Sequence, residues 1–231
     1  MPQANGFKSY LAVAFCLATM TLASCSAAQP APEPTPQAPV KINADQLQKI
    51  LEDFSKTDAN AAVITDKKLR ATIPKAQEWI ESVKVNPSRC GVAFAEPVAD
   101  QLQNSTMGAI EFEDRYLTVA IYKDPQVLKK QWDANASANE QCSRYSVTSG
   151  NESLAYHLAK QPMDSEAEQD ESYVVTSSDG KTTQQQLMVR AATSNVLIGI
   201  QQPTSQGQTQ QQVHGAAATI NELLSELTRR N

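Results

Sequence analysis

The sequence predicts an α+β fold: an antiparallel β-sheet packed by helices, with a helical segment on its N-terminal side and a helix at its C-terminal end. Three observations carry this. Apolar residues recur at helical spacing between Ala44 and Val83. From Met107 the period shortens toward two, with hairpin turns at Glu113-Asp114 and Ser178-Asp179-Gly180, and the stretch after Cys142 is mostly strand. The last stretch, from Val213, returns to helical spacing.

Taken in order, the chain opens with Lys8 and an apolar run of 13 residues, Leu11 to Ala23. That length suits the h-region of a signal peptide and falls short of the roughly 20 residues a spanning helix needs. The run ends in Leu22-Ala23-Ser24-Cys25. These four residues resemble the lipobox of a bacterial lipoprotein. The resemblance implies diacylglyceryl transfer to the Cys25 thiol, cleavage before Cys25, and attachment to the outer face of the cell membrane through lipid chains such as palmitate. Residues 1–24 then form the signal peptide. Ser26-Ala27-Ala28 also offers small residues to an ordinary signal peptidase, which would leave no anchor. Residues 25–41 follow as a lipidated Cys and a spacer. Ser26 to Pro39 holds five prolines among Ala, Gln, Thr and Glu. This composition buries too little surface to offset chain entropy, and it favours extended polyproline II.

Residues 42–231 remain for folding, roughly 190 residues, enough for one domain with a core. Ala44 to Ser55 places Leu47, Ile50, Leu51 and Phe54 on one helical face, with Asn43 as N-cap. Thr65 or Asp66 caps a second helix through Val83, with Leu69, Ile73, Ala76, Ile80 and Val83 as its apolar face and Trp79 beside it as a core residue. Pro74 either kinks that helix or splits it. Asn86-Pro87-Ser88-Arg89 is a turn delivering Cys90, and Val92 to Leu102 is a short helix or irregular arm. Ala109 to Phe112 and Arg115 to Lys123 form a hairpin. Its second strand points Leu117, Val119 and Ile121 one way and Tyr116, Thr118 and Tyr122 the other. Asp124 and Pro125 start a helix running to about Glu140 that buries Val127, Leu128 and Trp132.

Strands are expected over Ser143 to Thr148, Ser153 to Lys160, Ser172 to Ser177, Thr183 to Arg190 and Asn195 to Gln201. Ser178-Asp179-Gly180 makes a hairpin turn. The run Val196 to Ile200 is apolar throughout and reads as a central strand. Met163 to Glu171 is acidic and reads as a solvated loop. Pro203 to Gln212 is a polar connection. The final helix presents Val213, Ala217, Ile220, Leu224 and Leu227 to the sheet.

Composition excludes more than it assigns. The net charge is −5, with 20 basic and 25 acidic residues, and no basic stripe suits nucleic acid. With Cys16 in the leader and Cys25 lipidated, Cys90 and Cys142 remain as an even pair in an exported domain, which predicts one disulfide. The chain's two histidines, His157 and His214, stand in no nucleophile or zinc motif. Gly-rich phosphate loops are lacking. No catalytic residue, metal ligand or cofactor is therefore expected.

The order of elements resembles the PknH-like extracellular sensor domain of actinobacterial receptor kinases and lipoproteins. The resemblance rests on Val85-Asn86-Pro87-Ser88-Arg89-Cys90, a hairpin with the strand Val119 to Tyr122, a helix carrying Trp132, Cys142, the strand Asn195 to Ile200 and a terminal helix. It implies an α+β domain with disulfide support and a cleft for a ligand. Sheet tyrosines opposite the core, Tyr116, Tyr122, Tyr145 and Tyr156, are the expected cleft wall. The functional expectation is a non-enzymatic, membrane-anchored sensor-like domain for a small molecule or envelope component. A lipid or glycolipid carrier and a structural adaptor are the alternatives.

Overall fold

A computed structural model describes residues 38–91 and 104–231. Cys25, the leader, most of the spacer and the whole arm expected over Val92 to Leu102 lie outside the described residues. The expected α+β class is observed, and strand and helix contribute in three layers.

The sheet has nine antiparallel strands in the order β1-β3-β4-β9-β8-β7-β6-β5-β2. In chain order these are β1 (Ala62–Ile64), β2 (Lys84–Asn86), β3 (Ser105–Glu111), β4 (Tyr116–Tyr122), β5 (Arg144–Ser149), β6 (Glu152–Gln161), β7 (Gln169–Ser178), β8 (Thr183–Thr193) and β9 (Val196–Pro203). The run Val196 to Ile200 lies between β4 and β8, inside the sheet as its apolar character requires. β1 and β2 were not anticipated. Each is three residues long, too short for alternation to register, and each closes one edge.

Helix α1 (Ala44–Ser55) starts as expected. Asn43 accepts from the Gln46 backbone N–H at 3.0 Å, and the Gln46 side chain accepts from the Asn43 N–H at 2.9 Å. This reciprocal arrangement satisfies two otherwise orphaned donors. Leu47, Ile50 and Leu51 are buried against β3. Gly108 permits that approach, since a Cβ there would sit 2.5 Å from Leu51 Cδ1.

Helix α4 (Thr209–Arg229) lies on the same sheet face. It buries Val213, Ala216, Ala217, Ile220, Leu223 and Leu227. Together with Leu117, Val119 and Ile121 of β4, Leu187 and Val189 of β8 and Ile198 of β9, these residues make the main core. Each large aliphatic buried here contributes about 1.5–3 kcal/mol. The chain enters through the same core, with Val40 and Ile42 buried. Asn195, itself buried, holds the entry segment. It accepts from the Val40 N–H at 2.8 Å and donates to the carbonyls of Val40 at 3.0 Å and Tyr122 at 2.7 Å.

The opposite face carries helix α2 (Asp66–Ser82) and helix α3 (Pro125–Gln141), around a smaller cluster of Met107, Ala120, Tyr122, Leu128, Trp132 and Ala192. α2 is a single helix with Pro74 inside it, and Thr65 is its N-cap. Leu69 and Ile73 reach the cluster, but no residue of α2 is fully buried and Trp79 is 47% exposed. The expectation that Trp79 is core is thereby corrected. Helical spacing shows which residues share a face, not what packs on that face.

Cys90 and Cys142 form the expected disulfide, with Cα atoms 5.5 Å apart. Cys90 belongs to a single 3-10 turn, Ser88–Cys90, that follows β2 and the cis peptide Asn86-Pro87. Cys142 caps the C-terminal end of α3. No described helix is long and apolar enough to cross a membrane.

Candidate functional site

The register of the sheet decides which side chains share the face beneath α3. Tyr145 of β5 pairs with Tyr156 of β6, Leu158 with Val175 of β7, Tyr173 with Met188 of β8, and Met188 with Gln201 of β9. Since alternate residues of a strand point to one face, all of these lie opposite the main core. α3 crosses this face over β4 and β9 and buries Leu128, Gln131 and Trp132 from its N-terminal half. Beyond Trp132 the helix carries short residues, Ala134 to Ala138, and its inner side passes above β7 and β8 without filling the space. A cleft of about 350 Å³ results, roofed by Asn135 and Asn139 and floored by β5 to β9.

The floor has an aromatic end and a polar end. At the aromatic end the rings of Tyr145 and Tyr156 stack, with centroids 5.1 Å apart and planes 10° from parallel. At the polar end Glu171 of β7 faces Arg190 of β8 in direct register. Arg190 Nε donates to Glu171 Oε1 at 2.7 Å, and its Nη2 donates to the same oxygen. The Tyr173 hydroxyl donates to Glu171 Oε2 at 3.1 Å. The carboxylate is 6% exposed, and both of its oxygens accept hydrogen bonds. The Arg190 guanidinium also lies over the Trp132 ring, 5.7 Å from its centroid, which couples the ion pair to α3. Asn139 reaches the Tyr173 hydroxyl from the roof.

Burial, and then the neighbouring Glu171 charge, push the Tyr173 phenol up to about 12. Burial, with Tyr156 adding to it, pushes Tyr145 up to about 12 as well. Both hydroxyls therefore stay protonated, and remain donors, through the neutral range.

The four tyrosines named from sequence are placed differently from one another. Tyr145 and Tyr156 line the cleft. Tyr122 stands on the same face but is 1% exposed, under α3, with its hydroxyl 2.7 Å from Gln131 Oε1. Tyr116, at the start of β4, lies beside Gln201 in register and outside the lining. Tyr173, Glu171 and Arg190 are the central residues that the sequence reading missed. The acidic character of Met163 to Glu171 predicts a solvated loop that includes Glu171. β7 in fact begins at Gln169, and only residues up to Glu168 connect β6 to it. Among the described residues no group of three His, Cys, Asp or Glu side chains is placed to hold a metal ion.

No family model matches the chain, and no curated protein matches it. Solved structures do. The chain is similar to an uncharacterized protein from Mycobacterium smegmatis, the Rv0999 ortholog, with 13% identity over 79% of this chain and 96% of that one, and a TM-score of 0.45. It is also similar to the extracellular domain of PknH from Mycobacterium tuberculosis, with 9% identity over 83% of this chain and 98% of that one, and a TM-score of 0.45.

Proposed function

We propose that this chain is a non-catalytic, sensor-like binding domain of an extracytoplasmic lipoprotein, anchored to the cell membrane through Cys25, and that its ligand occupies the cleft between α3 and the sheet. The observation that carries this reading is the cleft itself. A stacked tyrosine pair, an internally neutralised Glu171–Arg190 pair and two roof amides converge on one concavity. Its volume falls at the lower end of the range for small-molecule sites. The Leu22 to Cys25 signature supports the anchor, and the Cys90–Cys142 bridge suits an oxidising compartment. A lipid carrier needs a continuous apolar cavity, whereas amides and an ion pair interrupt this lining.

Two measurements test the proposal. Mass spectrometry of the chain recovered from membranes should find an acylated Cys25 as the first residue. Thermal-shift screening of the full chain against envelope extracts should find a fraction that raises the melting temperature, because a ligand binding only the folded state stabilises it. Tyr156→Ala should lose that shift. A lipid co-purifying in native mass spectra would favour the carrier instead.

A further inference from the structure

We infer that the ligand class of this cleft is a neutral, hydroxyl-rich molecule of the saccharide or polyol type; the inference rests on the cleft being the binding site.

Charge is the first argument. Glu171 and Arg190 are the charged side chains among the described lining residues, and each is the other's partner. An anionic ligand would compete for Arg190 with a buried carboxylate that already accepts from its Nε and Nη2. A cation meets the reverse obstacle, since both Glu171 oxygens already accept hydrogen bonds. The cleft offers no net charge to either.

The second argument is the type of polar group that remains. Asn135 and Asn139 sit four residues apart on α3 and so project from one side of the helix. Gln186 of β8 and Gln201 of β9 face them from the floor and are bonded to each other, Gln201 donating to Gln186. A carboxamide both donates and accepts, and so does a hydroxyl. Amides above and below a shallow space therefore match a ligand that carries hydroxyls around its rim, whatever direction each hydroxyl points.

Apolar contact is the third. Leu158, Val175, Met188 and the Tyr156 ring supply a surface interleaved with those amides. It suits a body with C–H patches between polar groups, which a sugar ring has. A long acyl chain would meet an amide or the ion pair on β7, β8 and β9.

The test is titration of the full-length chain, followed by isothermal calorimetry and by chemical shifts of the tyrosine rings and side-chain amides. The probes are maltose and N,N′-diacetylchitobiose as neutral sugars, glucuronate and inorganic phosphate as anions, and dodecanoate as an acyl chain. A neutral sugar should bind saturably and move the Tyr156 and Asn135 signals. Asn135→Ala should weaken that binding roughly fivefold to tenfold, the loss of one hydrogen-bonding group. Tyr156→Leu should weaken it further, and circular dichroism and melting establish that each variant is folded. Neither sugar binding, with dodecanoate or an anion binding instead and weakened by the same variants, overturns the ligand class and leaves the cleft as the site. Sugar binding that neither folded variant alters overturns both. No response to any sugar at the cleft signals overturns the inference.

Discussion

Glu171 concentrates the chemistry of this fold in one side chain. Its carboxylate is 6% exposed and is held by Arg190 on one oxygen and Tyr173 on the other. Removing the charge leaves Arg190 partly buried without its counter-ion, and breaking such a pair costs more than the pair itself contributes. Glu171→Gln should lower stability by about 2–3 kcal/mol by urea unfolding, less than for a fully buried pair because Arg190 is 28% exposed. Adding Arg190→Met should recover part of that loss. A double variant no more stable than the single one would show that the pair is not what the site depends on. The pair was within reach of the sequence. The turn at Asp179-Gly180 was legible, and counting outward from Ser178 opposite Thr183 brings Glu171 opposite Arg190. Reading the acidic run as solvated stopped that count early. Tyr173 was lost with it, since its importance comes from Glu171. Tyr145 and Tyr156 were recoverable by alternation alone, whereas the burial of Tyr122 depends on where α3 crosses, which no local pattern encodes.

At the scale of elements, α3 is the part that makes a cleft out of a flat sheet. Its N-terminal half is fixed by Leu128, Gln131 and Trp132. Its C-terminal half rests on few large side chains and is fastened at its end by Cys142 to Cys90. Bridging across a separation of 52 residues is worth about 4 kcal/mol in the chain-entropy account. Cys90→Ala with Cys142→Ala should lower stability by about that amount and free the end of the roof. Hydrogen exchange should then accelerate from Asn135 to Gln141 more than in Pro125 to Trp132. Equal acceleration along the helix would mean that the bridge supports the whole fold and not the roof in particular. This helix, its cap at Asp124 and its bridging cysteine were all readable in the sequence, because each rests on a local signal. α2 shows the limit. Its cap and its apolar stripe were readable, but its shallow packing was not, and Trp79 ended up exposed.

For the whole molecule, charge and burial set the pH range of stability. Lys56, and then Arg230 at the far end of the chain, hold the Asp53 carboxyl down at about 2 from its ordinary 3.8. A carboxylate with a lowered folded value contributes stability that is present above pH 3.8 and is lost as pH falls toward 2. Tyr145 and Tyr173 act at the other limit. Raised from 10.0 to about 12, they favour the folded state less and less as pH climbs between those values, because the unfolded chain ionises first. Melting temperature should fall at both extremes. Asp53→Asn should reduce it at neutral pH and converge with the unaltered chain near pH 2. Absorbance of ionised tyrosine should show a late fraction that appears together with alkaline unfolding. An Asp53→Asn difference that persists unchanged in acid would remove this account of the acid limb.

The two outermost strands of the sheet, β1 and β2, are three residues long. Exposed backbone along a sheet margin invites another chain to add on and propagate as a fibre, and a brief margin gives little purchase for that. The long, aggregation-capable runs such as Val196 to Ile200 are enclosed between neighbours. Close packing against other copies is therefore a condition this sheet can tolerate while it stays folded.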